Sequence, residues 1–372
     1  MVTGAEQLTI FTVDLLTLFA IYAIIVASLN LEFGYTGLPN FGKMLAIAGG
    51  AFIAGFVPGR IAFVLVKVDP GLEYCANNSR VMAAISGSLM VDPFLAIGLF
   101  LLTLVIAALA GGLLGFLASY PAIRLRADYL AITLLGMAEA LRVIGYNYIP
   151  ISCGTIGVGV ADVFAWLTGP LSAYRSAVIA FVFLGIAALA ILYSELLARS
   201  PLGRAMRAVR DNETAANSLG KDVVRMRMKV LVIGSGLAAI AGALFSFYTV
   251  SVFALTYDRV NWTFIPWVMV ILGGAANNIG VTVGAFVFVA VRKLIVQFKH
   301  LLTPYVPFDV VWFDTMLVGV ALMLFLLYRP QGLIPEKSTF TLSVDRLRGI
   351  IIRKTRQPVP RSAPASQDRE AE

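Results

Sequence analysis

Long apolar stretches recur along the whole chain, and they constrain its fold more than any other feature. A helix needs about 20 apolar residues to cross the hydrocarbon core of a bilayer. Some stretches have that length, and others are shorter or interrupted by glycine. The predicted spans are residues 13–31, 41–57, 93–119, 129–146, 175–198, 230–253, 262–274, 279–298 and 312–328. The sequence therefore predicts an all-α polytopic membrane protein with about nine transmembrane helices, within a range of about eight to ten.

The composition agrees with a chain that lives in a bilayer. Of its residues 59% are hydrophobic and 13% are charged, and a soluble domain carries about twice that charged fraction. The first apolar stretch has no basic start and no small-residue cleavage site after it, so we interpret it as a span and not as a signal peptide. The stretch 61–66 is predicted to belong to a tenth span or a re-entrant segment.

Basic residues are concentrated in four segments, 32–43, 119–128, 199–229 and 329–372, which hold 20 of the 29 Lys and Arg residues. Such a bias marks the cytoplasmic face of a membrane protein. The net charge of +8 therefore reports topology and does not indicate a nucleic-acid partner. We expect a multi-pass protein of the cell membrane, with its N-terminus outside and its C-terminus in the cytoplasm.

The chain divides into a transmembrane domain, residues 1–335, and a basic tail, residues 336–372, which is predicted to be disordered. The predicted outer loops are residues 58–92, 147–174 and 299–311. Cys75 and Cys153 fall in two of these loops. One possibility is that they form a disulfide, as the oxidising side of the membrane allows. The other is that they lie too far apart to form one.

Two glycine-rich interruptions resemble each other. Each breaks an apolar run, carries an Asn two residues before a Gly, and leads into a helix of small residues. Paired broken segments in corresponding halves predict an inverted repeat and a transport pathway between its halves. The alternative is that the glycines only allow close helix packing and the Asn side chains cap freed backbone. The pathway candidates here are Gly34, Gly37, Asn40, Gly273, Gly274, Asn277 and Asn278.

Glu139 and Arg142 lie three residues apart inside a short apolar segment. Charges at membrane depth are costly, so both side chains should face protein or water and pair with each other. We favour a structural ion pair, and the alternative is that both border the transport pathway.

The loop of residues 199–229 contains a short predicted helix, about residues 213–219. Asp211 or Asn212 suits its N-cap and Gly220 suits the residue just past its end. A helix this short is marginal alone in water, so it needs a partner. The pattern of Glu213, Ala215, Ala216 and Gly220 resembles the cytoplasmic signature of ABC importer permeases, with one residue inserted after the Glu. The alternative is an ordinary amphipathic connector.

Several further motifs resemble the LivH/LivM family of branched-chain amino acid permeases. They are Leu29-Asn30-Leu31 with Gly34-Tyr35-Thr36-Gly37, Tyr129 to Leu134 with Glu139 and Arg142, Ser200 to Arg204 with Ala208 to Glu213, and Arg329 to Leu333. The resemblance covers about residues 29–335.

The resemblance implies a division of labour among several chains. A second LivH-type permease would complete the pathway, two ABC ATPase subunits would bind below, and an extracytoplasmic binding protein would deliver the amino acid. The residues expected to couple this chain to the ATPases are Glu213, Ala215, Ala216, Gly220, Arg204 and Arg210. The chain has no GxxxxGK[ST] phosphate loop, so ATP and Mg²⁺ are expected on the partners, and no enzymatic activity or cofactor is expected here.

Other functions stay open at this point. Ser152-Cys153-Gly154 and Gly280-Val281 depart from the family pattern, so a permease for urea or short amides is an alternative. A stand-alone secondary transporter or channel would need titratable residues buried in several spans. A membrane enzyme would need clustered carboxylates, His or Cys. His300 has no neighbouring ligands in the sequence, so no metal site is predicted.

Overall fold

The chain folds almost entirely into helices. The computed structural model describes residues 4–67, 73–125, 127–168, 174–298, 316, 319–320, 323, 327–329 and 331–336. The helices are α1 (Gly4–Leu29), α2 (Lys43–Leu65), α3 (Asn78–Val91), α4 (Pro93–Arg124), α5 (Ala127–Asn147), α6 (Ile149–Ser152), α7 (Arg175–Arg199), α8 (Pro201–Asp211), α9 (Glu213–Ser218), α10 (Val223–Thr249), α11 (Ile265–Gly273) and α12 (Asn278–Gln297).

Seven of the described helices are long and apolar enough to cross a membrane. They are α1 with the π-helical turn Asn30–Tyr35 that extends it, α2, α4, α5, α7, α10 and α12. A π-helical turn, Val260–Phe264, runs into α11 to give a shorter apolar helix. These eight helices coincide with eight of the predicted spans, and the all-α polytopic fold is confirmed. The predicted span 312–328 lies largely outside the described residues, as does the tail from residue 337 onward.

The second span is longer than the sequence indicated, and the stretch 61–66 is neither a tenth span nor a re-entrant segment. Helix α2 continues through Pro58 to Leu65. A proline removes one helical hydrogen bond, but tertiary contacts hold the turns that follow it. Gly59 packs against Tyr74, and an Arg60 guanidinium nitrogen donates to the Pro150 carbonyl oxygen at 2.8 Å. The predicted outer loop 58–92 therefore contains the end of α2 and all of α3.

The end of the bundle that holds α3 and α6, called here the disulfide end, is closed by a bridge between Cys75 and Cys153. The two Cα atoms are 5.4 Å apart. Beside the bridge, strand β1 (Val158–Gly159) pairs antiparallel with β2 (Ser251–Val252), with Val158 opposite Val252. The Asn78 side chain accepts a hydrogen bond from the Gly159 backbone N–H at 2.7 Å. The sequence did not decide whether the two cysteines are bridged, and the fold brings them together.

At the opposite end, called the loop end, helix α10 begins at Val223 and not at Val230 as predicted. The Asp222 side chain caps it by accepting from the Arg225 backbone N–H at 2.9 Å. Basic side chains in its first turns made this stretch read as a loop. A helix can extend past the bilayer into water, so the hydropathy pattern underestimates its length.

Helix α10 occupies the centre of the bundle, against α1, α2 and α4. Glycines let the backbones approach closely. A Cβ placed on Gly50 of α2 would lie 1.9 Å from the Ala239 carbonyl oxygen, and one on Gly242 would lie 1.9 Å from that of Ile47. Helices α5 and α7 are the least buried of the spans, so they form part of the surface.

Candidate coupling loop and glycine turns

The loop of residues 199–229 folds into two consecutive helices before α10 begins. The Ser200 hydroxyl caps α8 by accepting from the backbone N–H of Leu202 at 3.2 Å and of Gly203 at 3.4 Å. Met206 and Val209 form its buried face. The Asn212 side chain caps α9 by accepting from the Ala215 N–H at 2.9 Å. The predicted short helix therefore exists, and Asn212 is its cap.

Helix α9 ends at Ser218, and Gly220 lies just past its end, as the sequence predicts. Gly220 has a φ of +75°, and the next N–H, of Lys221, donates to the Ala216 carbonyl oxygen at 3.0 Å. Left-handed backbone of this kind favours glycine because it has no Cβ. The turn sends the chain back into α10.

The residues predicted to couple the chain to ATPases do not all face outward. Arg204, Glu213, Ala215 and Gly220 are exposed, whereas Ala216 is buried against its own chain. Glu213 also forms an ion pair with Arg227 of α10. Helix α9 thus has one side fixed to the bundle and one side open.

The open side of α9 carries an exposed leucine that the sequence reasoning did not single out. Leu219 is 81% exposed, and a neighbouring open hollow of about 360 Å³ is lined by Asn217, Gly220, Lys221 and the first residues of α10. One exposed leucine is not unusual in itself. The protruding Leu219 side chain and the hollow together form a surface that a helix or loop of a partner protein can contact.

The two glycine interruptions, residues 34–42 (the first turn) and 273–280 (the second turn), lie side by side at the loop end. Asn30 joins them. Its side-chain oxygen accepts from the Ala276 backbone N–H at 2.8 Å, and its amide nitrogen donates to the Asn278 side-chain oxygen at 2.8 Å. A Cβ on Gly34 would lie 2.5 Å from the Ala276 nitrogen. Glycine at this position is therefore required for the two turns to meet.

Asn277 and Asn278 have different partners. The Asn277 side-chain oxygen caps α12 by accepting from the N–H groups of Ile279 and Gly280, each at 3.1 Å. The Asn278 amide donates to Glu195 of α7 at 2.8 Å. Asn277 therefore fits the capping alternative, and Asn278 belongs to a buried polar network with Asn30.

Residues 331–336, called the closing segment, lie against the second turn. The backbone N–H groups of Leu333 and Ile334 donate to the carbonyl oxygens of Leu272 at 2.8 Å and Gly273 at 3.0 Å. Gly274 has a φ of +105°, and a Cβ there would lie 2.4 Å from the Ile334 carbonyl oxygen. Gly273 and Gly274 thus hold the closing segment by close backbone contact.

Arg210 of α8 faces the turns and not the open side of α9. Its Nη1 donates to the Gly34 carbonyl oxygen at 2.7 Å and lies 3.0 Å from a Glu336 carboxylate oxygen. Its Cγ lies 3.0 Å from where a Cβ of Gly37 would stand. Burial opposes the charge of this guanidinium, but Glu336 and Asp211 raise the pKa of Arg210 above its usual value. The guanidinium therefore stays charged at any physiological pH.

A fully buried ion pair beneath the first turn was missed at the sequence level. Lys43 Nζ lies 2.9 Å from Glu32 Oε1, and neither side chain is exposed at all. The Asn40 amide donates to the other Glu32 oxygen at 2.9 Å. The sequence signal for this pair was a Glu and a Lys that flank a glycine turn between two apolar runs. Lys43 was instead counted among the basic residues that mark the cytoplasmic face. Asn40 is thus a partner of this pair.

Glu139 and Arg142 form the predicted ion pair on α5, with Arg142 Nε 3.0 Å from Glu139 Oε1. Their side chains are 28% and 24% exposed. The pair lies at the partly exposed surface of α5. The neighbouring Gly136 and Ala140 are exposed as well.

Within the described part of the chain, no three His, Cys, Asp or Glu residues are close enough to hold a metal ion. His300 lies outside that part. The absence of a metal or cofactor in this chain stays a prediction.

The fold and the loop of residues 199–229 identify the class of protein. It is a polytopic membrane protein with a two-helix connector exposed at one end. The family described as "Branched-chain amino acid transport system / permease component" matches residues 11–327, and the chain belongs to that family. A relative from Methanocaldococcus jannaschii, described as "Probable branched-chain amino acid transport permease protein LivM", is 38% identical over 89% of this chain and 96% of its own length.

More distant relatives carry related descriptions. A "High-affinity branched-chain amino acid transport system permease protein LivM" from Escherichia coli is 28% identical, over 87% of this chain and 70% of its own. An "Autoinducer 2 import system permease protein LsrC" from Salmonella paratyphi B is 26% identical, over 71% of this chain and 82% of its own. No solved structure matches the chain. The resemblance to LivM-type permeases is confirmed, and permeases of this family are transport subunits and not enzymes.

Proposed function

We propose that the chain is the LivM-type permease subunit of an ABC importer for branched-chain or related hydrophobic amino acids. The match over residues 11–327 and the 38% identity to a LivM permease carry this proposal. A second LivH-type permease completes the pathway, two ABC ATPases bind ATP and Mg²⁺, and an extracytoplasmic protein delivers the solute. This chain needs no cofactor of its own.

The loop end faces the cytoplasm in this proposal, and the disulfide end faces outward. The concentration of basic residues in segment 199–229 supports this orientation because such residues favour the cytoplasmic side. The Cys75–Cys153 bridge supports it as well, since disulfides persist outside the reducing cytosol. The N-terminus then lies outside and the C-terminus inside.

The ATPases dock on the open side of α9. Leu219 is the apolar anchor, and the other exposed residues of the docking surface are Ala215, Gly220, Glu213 and Arg204. Ala216 keeps α9 seated on its own chain. A seated helix can pass a rigid-body push from the ATPase to the bundle, which a flexible loop cannot do.

The solute path runs along α5. Between Phe181 and Leu196 the large exposed side chains of α7 are mainly apolar, among them Phe181 at 74% and Leu189 at 67%, as expected for a face toward lipid. Helix α5 also exposes apolar side chains, among them Ile132 at 71%, but it presents part of the Glu139–Arg142 pair as well, and charges at membrane depth favour a protein or water environment. The second permease faces this surface. The two glycine turns, with Gly34, Gly37, Asn40, Gly273, Gly274, Asn277 and Asn278, close the cytoplasmic end of the path.

The test is uptake by vesicles that contain this chain, its partner permease, the ATPases and the binding protein. Leucine, isoleucine and valine are expected to accumulate only with ATP inside the vesicles and ATPases present. Leu219→Asp is expected to reduce the co-purified ATPase by at least about tenfold, since an apolar anchor contributes about 2 kcal/mol or more.

Leu255→Asp is the matched control, because Leu255 is 57% exposed but lies at the disulfide end, and it should retain the ATPases. Uptake without ATPases would identify a secondary transporter or channel instead. Accumulation of urea but not leucine would contradict the substrate class.

A further inference from the structure

Arg210 joins three parts of the chain that are far apart in sequence. It belongs to α8, the first helix of the coupling loop. Its guanidinium donates to the Gly34 carbonyl oxygen in the first turn at 2.7 Å. The same group pairs with Glu336 of the closing segment, with Nη1 3.0 Å from Oε2 and Nη2 3.2 Å from Oε1. One side chain therefore contacts the loop, the first turn and the closing segment.

The closing segment extends this contact to the second turn. Its backbone is bound to Leu272 and Gly273, and the Asn277 amide donates to the Pro335 carbonyl oxygen at 3.2 Å. Asn30 ties the two turns directly to each other. A displacement of α8 therefore reaches both turns through Arg210, and the turns are bound to each other so that they can move together.

The type of side chain suits this position. The guanidinium is a planar fork that can bind a carboxylate with two N–H groups and still donate to a carbonyl oxygen. Lysine has a single nitrogen and cannot reproduce the contact of two nitrogens with the Glu336 carboxylate. The Arg210 side chain is only 25% exposed, so these contacts are shielded from water and persist better than a surface pair.

We propose that Arg210 is the positioning residue that transmits movement of the coupling loop to the two glycine turns, and that it is not part of the ATPase-docking surface. This inference rests on the proposed function, because it assumes that the loop receives the movement of the ATPases. It separates Arg210 from Leu219 and the exposed face of α9. Loss of Arg210 should leave the ATPases bound but weaken the connection between hydrolysis and transport.

The experiment compares Arg210→Gln with the wild-type complex in vesicles and measures leucine transported per ATP hydrolysed. This ratio is insensitive to the fraction of folded complex, because a partly unfolded preparation loses uptake and hydrolysis in proportion. Arg210→Gln is expected to keep the full complement of co-purified ATPases and to lower the ratio at least about threefold. Lys229→Gln is the control, since Lys229 is an exposed basic residue near the start of α10 that belongs to neither α9 nor the two turns, and its ratio should equal that of wild type.

Glu336→Gln serves as the second variant, because it removes the charge that pairs with Arg210 and leaves the bond to Gly34 in place. It should give a ratio between those of Arg210→Gln and wild type. A wild-type ratio in Arg210→Gln would overturn the inference, and so would loss of the ATPases from that variant, which would return Arg210 to the docking surface. Failure of the proposed function is distinguishable, since the wild-type complex itself would then show no ATP-driven leucine uptake.

Discussion

At the residue scale, the ion pair of Glu32 and Lys43 shows how the first turn is fixed. Both charges are fully buried, which is costly unless all polar atoms find partners. Asn40 donates to one Glu32 oxygen and Lys43 to the other. Lys43 also lies 3.5 Å from the Gly234 carbonyl oxygen of α10. The pair thereby ties the first turn to α2 and to the central helix.

Removing one partner of this pair should destabilise the protein far more than removing both. Lys43→Met or Glu32→Gln alone leaves a buried group unpaired, and we expect a loss of about 3–5 kcal/mol. The double variant should recover most of that loss. Thermal unfolding of the detergent-solubilised protein measures the difference.

The control is Arg225→Gln, since the Arg225–Asp222 pair is exposed, at 79% and 51%, and such pairs contribute less than about 1 kcal/mol. Single variants as stable as wild type would show that the buried pair is not needed for stability.

At the scale of elements, close backbone contact places α10 against its neighbours. Gly242 of α10 faces the Ile47 carbonyl oxygen of α2, and Gly111 of α4 faces that of Ser235. Small residues at such crossings allow dispersion contacts along the whole length of two membrane helices. The obstruction at Gly242 is backbone, and at Gly111 it is the Ala239 Cβ together with the Ser235 carbonyl oxygen; none of these atoms can swing aside as a long side chain can.

Alanine should therefore have opposite effects at two glycines. Gly242→Ala places a Cβ about 1.9 Å from a carbonyl oxygen and should cost at least about 1–3 kcal/mol through overpacking. Gly185→Ala on α7 meets nothing within 4 Å, and it should be neutral or stabilise by up to about 1 kcal/mol through helix propensity. The yield and melting temperature of monodisperse protein measure both. Equal behaviour of the two variants would argue against this packing of α2 on α10.

At the scale of the whole molecule, the disulfide end and the loop end are chemically different. One end is covered by α3, the bridge and the paired strands. The other exposes α9 and the basic helix α8. The two ends therefore suit different partners, and their orientation in the membrane can be tested independently of transport.

Single cysteines at Leu219 and Leu255 should report opposite sides of the membrane. The two native cysteines are bridged to each other, so they need no replacement. A membrane-impermeant maleimide added to intact cells should label Leu255→Cys and should label Leu219→Cys only after permeabilisation. The wild-type chain, without an added thiol, should stay unlabelled. The reverse pattern would invert the proposed topology.

The sequence by itself determined the fold class, eight of the described spans and the existence of α9 with its cap and terminal glycine. These features depend on local hydrophobicity, on caps and on backbone preference, which neighbouring residues encode. The motifs of the family were also legible, since they lie in contiguous segments. Helix ends were less accurate: α2 passes Pro58 and α10 starts at Val223, because contacts from distant residues and from water decide where a helix stops.

Only the tertiary structure decided which residues meet. Asn30 contacts the second turn, Glu32 is buried with Lys43, and Arg210 contacts Gly34 and Glu336. These contacts join residues up to 248 positions apart. The bridge between Cys75 and Cys153 is of the same kind. No local pattern specifies such pairs, because they follow from how helices pack around α10. Side-chain direction in this bundle is a property of that packing, and a charge read as a surface feature in sequence can be fully buried in the fold.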